Sequence, residues 1–133
     1  MDFAWFDQYL STRNNSVRCA IIDEEMDKLV GCVYLLNIDR INLSAEFHIM
    51  IGNVADRGKG AGTYAINKMI HHAFDDLNLR RLTLEVLENN IDAIRLYTKV
   101  GFIQEGIKCE AVYKNGAYYN EIIMGLLRKD YKK

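Results

Sequence analysis

At 133 residues the chain is long enough for one hydrophobic core. Half of the residues are apolar, 26% are charged and the formal net charge is -1, which gives no general attraction to nucleic acid or to an anionic membrane. The three cysteines, Cys19, Cys32 and Cys109, are odd in number and far apart, which argues against a disulfide framework or a zinc site.

No apolar run approaches the roughly 18 residues of a membrane span. The start, Met1-Asp2-Phe3-Ala4-Trp5, lacks the pattern of a signal peptide. Cys19 and Cys32 lie in apolar runs and read as small core residues. These features predict a reducing, cytoplasmic setting. Without proline, repeats or low-complexity segments, residues 1–133 read as a single domain.

In chain order, Phe6, Tyr9 and Leu10 fall at helical spacing, which predicts a short core-packed helix over 2–12, ended by Asn14-Asn15-Ser16. Residues 17–22 read as a strand, 23–28 as a charged turn and 29–38 as a second strand, together a hairpin. A third strand, 43–51, places Glu46, His48 and Met50 on one face and Ala45, Phe47 and Ile49 on the other. Ala65, Ile66, Met69, Ile70, Ala73, Phe74 and Leu77 then form one helical stripe. A strand over 81–87 follows. Next comes a short helix with Asn90 as N-cap, Asp92 in its first turn and Gly101 as its stop. Residues 102–113 and 117–127 flank Asn115-Gly116, a strong hairpin signal. The order β-β-β-α-β-α-β-β describes an α/β or α+β layered domain: a mixed sheet covered by helices.

Arg57-Gly58-Lys59-Gly60-Ala61-Gly62 falls after a strand and at the start of the long helix. The first turn of a helix has N–H groups without intrahelical partners and a partial positive charge. Glycines let a phosphate approach the backbone, and Arg57 and Lys59 add charge. A Walker A loop needs Lys and Ser/Thr after two glycines spaced five apart, which is not present. The dinucleotide pattern Gly-x-Gly-x-x-Gly fails from Gly58, where Thr63 stands third, and from Gly60, where Ala65 does. Arg57, Gly60 and Gly62 satisfy Arg/Gln-x-x-Gly-x-Gly/Ala. Taken alone, the segment also reads as a Gly-rich turn with no ligand.

A second motif, Asn90-x-x-Ala93-x-x-Leu96-Tyr97-x-x-x-Gly101-Phe102, lies downstream. The pair of motifs resembles the GNAT acetyltransferase superfamily in order, spacing and strand and helix context, from about residue 17 to 127. Within it, residues 45–51, 57–62, 90–102, Glu105-Gly106 and Asn115-Gly116 are similar to the bacterial spermidine and ribosomal-protein alanine acetyltransferases. The resemblance implies a mostly antiparallel, twisted GNAT-like sheet flanked by helices, with the branch's first strand and helix missing ahead of residues 2–12. That departure leaves the acceptor open and makes a partner subunit, in a homodimer, a possible cover for an exposed edge.

The resemblance implies acetyl-coenzyme A as co-substrate. Its pantetheine arm would lie on the backbone of Ile49, Met50 and Ile51, whose side chains read as core. Its pyrophosphate would lie on the N–H groups of Arg57, Gly58, Lys59, Gly60, Ala61, Gly62 and Thr63. Asn90 matches a position that hydrogen-bonds the cofactor, as well as being a plain N-cap. Ala93 is small where the cofactor passes. Tyr97 matches the general acid that protonates the leaving thiolate; its structural alternative is a packed helix aromatic. Glu46 is the candidate base for the ammonium, directly or through water, or else a surface glutamate; His48 is a weaker candidate. Backbone N–H groups near Met50 would meet the developing oxyanion.

The implied reaction is acetyl transfer to a primary amine: a polyamine or an amino sugar first, a protein N-terminus as alternative. A catalytically inactive acyl-coenzyme A sensor and a regulatory nucleotide-binding domain are the rivals from other classes. No metal is expected: His71, His72, Asp75 and Asp76 pair one turn apart and read as a solvated helix face.

Overall fold

The computed structural model describes residues 3–9, 15–25, 27–51 and 60–131, with backbone alone for 3–9 and for Ala61. Seven strands form one sheet: β1 (Phe3–Tyr9), β2 (Val17–Asp23), β3 (Lys28–Asp39), β4 (Ser44–Ile51), β5 (Arg81–Leu87), β6 (Ile103–Lys114) and β7 (Ala117–Leu127). Their order is β1-β2-β3-β4-β5-β7-β6. Every neighbouring pair is antiparallel except β4 and β5. Two helices, α1 (Ala61–His71) and α2 (Ile91–Val100), follow β4 and β5. None of the described helices is long and apolar enough to cross a membrane.

The strands follow from alternation. Val17, Cys19 and Ile21 of β2 and Val33 and Leu35 of β3 are buried, with their neighbours more exposed. In α1, Ala65, Ile66, Met69 and Ile70 are buried at helical spacing and join the same core. Full burial of one such side chain is worth about 1.5–3 kcal/mol. The core therefore lies between the helices and one face of the sheet, built by Ala45 and Phe47 of β4, Leu82, Leu84 and Val86 of β5, and Met124 and Leu126 of β7.

Four expectations need correction. Residues 3–9 form a strand and not a helix: β1 pairs with β2 from Phe3/Asp23 to Tyr9/Val17. A run of Phe, Trp, Phe and Tyr favours a pleated surface, and β2 offers a full antiparallel edge. Met50 is 62% exposed, so it is not a core residue; it shares the outer face with Glu46 and His48. Cys32 is only partly buried, because its register partner is Met50; Cys19 is buried and Cys109 exposed. The end of the long helix is not a plain solvated face. Residues His72–Asp76 wind as a π-type turn that buries His72, Ala73 and Phe74. There His71 Nδ1 lies 2.9 Å from Asp75 and His72 Nδ1 2.8 Å from Asp76. Arg128 caps this turn by donating to the carbonyl of Phe74.

Candidate active site

β4 and β5 stay together only briefly. Their parallel ladder runs from Ser44/Arg81 to Glu46/Thr83 and stops, although β4 continues to Ile51 and β5 to Leu87. On its other side β5 remains paired with β7 from Arg81/Leu127 to Leu87/Glu121. The sheet therefore opens between two adjacent strands. A cleft of about 620 Å³ lies there, lined by Ile49 and Ile51 of β4, Gly62 of α1, and Asn90, Asp92, Ala93, Leu96 and Tyr97 at the start of α2 and along it.

The phosphate end of the predicted site falls partly outside the described residues, which include neither Arg57, Gly58 nor Lys59. Gly60 is described. It stands before α1 with φ of 84°, a left-handed conformation that glycine adopts without Cβ strain. The Tyr64 N–H is the first to close a helical bond, on the Gly60 carbonyl at 3.0 Å. The N–H groups of Ala61, Gly62 and Thr63 thus have no intrahelical acceptor. No acidic residue stands in that first turn. This chemistry suits an anion. Gly62 has a second constraint: a Cβ there would sit 3.1 Å from Leu96 Cδ2. Its bareness lets α1 approach α2.

Asn90 caps α2, accepting from the Ala93 N–H at 3.3 Å through Oδ1 and keeping Nδ2 as a donor on the cleft. Gly101 ends the helix, and the Phe102 N–H returns to the Tyr97 carbonyl at 3.0 Å. Tyr97 is held edge-on against Phe47 and Phe102, at centroid distances of 6.4 Å and 6.0 Å. Burial raises the pKa of its phenol. The group therefore carries its proton at neutral pH and can donate it.

Glu46 is on the opposite side of the sheet from Tyr97, since Phe47, the next residue, is the one that meets the phenol ring. Its carboxylate accepts from Asn37 Nδ2 at 2.8 Å and lies 3.5 Å from His48 Nε2. The two predicted catalytic groups thus flank the sheet from opposite faces beside the same opening. Asp92 and Leu96 also line the cleft; the sequence names them as a first-turn acid and a motif position, without a role toward a ligand. They fall with Ala93 and Tyr97 at positions one and four residues apart, so helical spacing could have found them.

Three more groups stand on the outer face. Lys108 of β6 reaches Glu85 of β5, Nζ to Oε1 at 2.7 Å. That bond lowers the pKa of Glu85 and raises that of Lys108. Glu121 of β7 is raised, first by burial and then by the charge of Glu85.

An open parallel strand pair thus lies beside a helix start that suits an anion and beside a protonated phenol. Comparison with known proteins gives the class. The model of the acetyltransferase (GNAT) family matches residues 1–102. A spermidine N(1)-acetyltransferase of Vibrio cholerae is 34% identical over 118 residues, 89% of this chain and 68% of that protein. A ribosomal-protein-serine acetyltransferase of Escherichia coli is 28% identical over 92 residues, 69% of this chain and 51% of that protein. The crystal structure of the Vibrio cholerae spermidine N-acetyltransferase with CoA and spermine superposes with a TM-score of 0.83 at 35% identity, covering 89% of this chain and 69% of that one. The chain belongs to the GNAT acetyltransferase family, whose N-acetyltransferases use acetyl-coenzyme A as co-substrate.

Proposed function

We propose that the protein transfers the acetyl group of acetyl-coenzyme A to a primary amine of a polyamine. The observation that carries this reading is the opening between β4 and β5. Its cleft gathers Ile49, Ile51, Gly62, Asn90, Ala93 and Tyr97, residues from three separate segments that the sequence reading singles out. The polyamine acceptor is supported by the likeness to the spermidine enzyme and by the carboxylates on the outer face. An amino sugar or a protein N-terminus belongs in the same acceptor panel.

In this reading the pantetheine arm lies along the backbone of Ile49, Met50 and Ile51, which has no ladder partner from β5. The pyrophosphate lies on the N–H groups from Arg57 to Thr63, and Asn90 and Ala93 border its path. The co-substrate supplies an activated acyl group whose leaving group is a thiolate. Glu46 takes the proton that the ammonium must lose, directly or through water. Tyr97 gives its proton to the departing sulfur, and backbone N–H groups near Met50 face the oxyanion. Holding amine and thioester together supplies much of the acceleration, so no covalent enzyme intermediate is required. We also read the protein as a cytoplasmic homodimer; β1 and β6 are the two edges of the sheet, and open edges invite pairing.

Isothermal titration with acetyl-coenzyme A tests the donor, and free-thiol release over a panel of amines tests the reaction. Binding together with release in the presence of spermidine is the expected result. Binding without release from any amine would instead favour an acyl-coenzyme A sensor. No binding at millimolar donor would overturn the reading.

A further inference from the structure

The outer face of the sheet has a detail at the opening that acetyl transfer alone does not require. Glu46 and His48 of β4, Glu85 of β5, Glu121 of β7 and Lys108 of β6 all turn away from the helices. Their strand neighbours Phe47, Leu84 and Val86 belong to the core, and Ile122, beside Glu121, packs against it. Lys108 and Glu121 are register partners, as are Ile107 and Ile122, which sets Lys108 on the same side.

The β4–β5 ladder ends at Glu46/Thr83. Glu85 is the next residue of β5 on the outer face, so it borders the opening across from His48. Lys108 passes over its own register partner on β7, Glu121. From β6 it extends over the whole width of β7 to place Nζ 2.7 Å from Glu85 Oε1 on β5. An alkyl ammonium thus rests on a carboxylate at the rim of the opening. It lies on the face of the sheet opposite the cleft under α2.

A polyamine is itself an alkyl ammonium. We infer that Lys108 is an internal stand-in for the cationic acceptor: its ammonium holds Glu85 in the free protein, and the acceptor must displace it. Glu85 is then the anchor of the incoming cation, and Lys108 a specificity-determining residue that raises KM for cationic amines. The inference rests on the amine-acceptor reading above and adds to it which residues meet the amine first. It involves no covalent change. One ammonium leaves the carboxylate, another replaces it, and the net charge of the face rises by that of the acceptor.

Both partners are about half exposed, 51% for Lys108 and 41% for Glu85, so the competition is modest. Exposed ion pairs of this kind correspond to about two- to fivefold in an equilibrium constant. The test uses the whole chain as wild type, Lys108→Met, Lys108→Arg and Glu85→Gln. Steady-state kinetics are measured with spermidine and with an aromatic amine that is uncharged at neutral pH. Lys108→Met should lower KM for spermidine about two- to fivefold, with kcat and the KM for acetyl-coenzyme A unchanged. The gain should shrink as salt is added. Lys108→Arg should restore the wild-type KM, Glu85→Gln should raise it, and the uncharged amine should not respond to Lys108→Met.

A KM for spermidine in Lys108→Met equal to or above wild type overturns the inference, as does a Glu85→Gln protein with wild-type KM. A wild type that acetylates no amine defeats the acceptor reading alone. The inference is then judged by calorimetric binding of spermidine to the same four proteins, where Lys108→Met binding no tighter than wild type overturns it.

Discussion

Strand β5 has two neighbours and treats them differently. Towards β7 it is paired along its entire length, from Arg81/Leu127 to Leu87/Glu121. Towards β4 it pairs only to Glu46/Thr83 and then parts company. The paired side carries Met124 and Leu126 into the core and the Arg81–Glu105 ion pair onto the surface. The open side carries the cleft, the phenol and the carboxylates. One strand therefore closes the sheet along one edge and borders a cleft along the other. The comparison predicts that substitutions on the two sides separate into stability effects and rate effects.

The sharpest test lies on the open side. Tyr97→Phe should lower kcat by about 10²–10⁴-fold, the range for a positioned proton donor. The dissociation constant for acetyl-coenzyme A should change little, because the ring and its contacts with Phe47 and Phe102 remain. Single-turnover thiol release with parallel calorimetry would measure both. Unchanged turnover would show that the phenol is only packing. The pH profile sharpens the point. Burial moves the phenol up from its ordinary 10.0, so wild type should keep the donor protonated to beyond pH 10. The sign for stability agrees. Between the unfolded and the folded pKa the native state holds the extra proton, so this contribution is complete below pH 10 and is lost above it.

The paired side should answer in stability. Leu84 is 3% exposed and lies beyond the last β4 partner, opposite Met124. Leu84→Ala should cost about 2–5 kcal/mol in urea unfolding, while acetyl-coenzyme A affinity per folded molecule stays near wild type. A loss of affinity at full folding would mean that the two edges of β5 are coupled. The smallest effect is expected at the surface. Arg81 and Glu105 are 38% and 35% exposed and meet at 2.8 Å. Arg81→Ala should cost less than about 1 kcal/mol, and less again in high salt.

Local signals in the sequence carried much of this structure. The alternation of residues 81–87 and the Asn-Gly between two strand-like runs gave β5 and the β6–β7 hairpin almost to the residue, because each depends on neighbours a few positions away. The first strand was misread because Phe6, Tyr9 and Leu10 satisfy helical spacing as well as a strand's preference for aromatics. What decides between them is the partner β2, a later stretch of the chain whose pairing no local pattern in residues 2–12 displays. Met50 reads as core only when its apolar side chain outweighs its parity, which already sets it on the face of Glu46 and His48. Within the site, the residues carried by motifs line the cleft as a group, whereas Glu85 and Lys108 bore no motif. They meet only because β6, β7 and β5 lie side by side, and a single chain read in order does not display that adjacency.

Gly62 belongs to both ends of the open side. It sits in the first turn of α1, where the anionic end of the donor is expected. The space its side chain would fill is taken by Leu96, the residue before Tyr97. The two walls of the cleft are thus set like a caliper, by direct contact between two helices. A side chain at position 62 would press on Leu96, which would have to give by a few tenths of an ångström, and the gap would be reset from the wall itself.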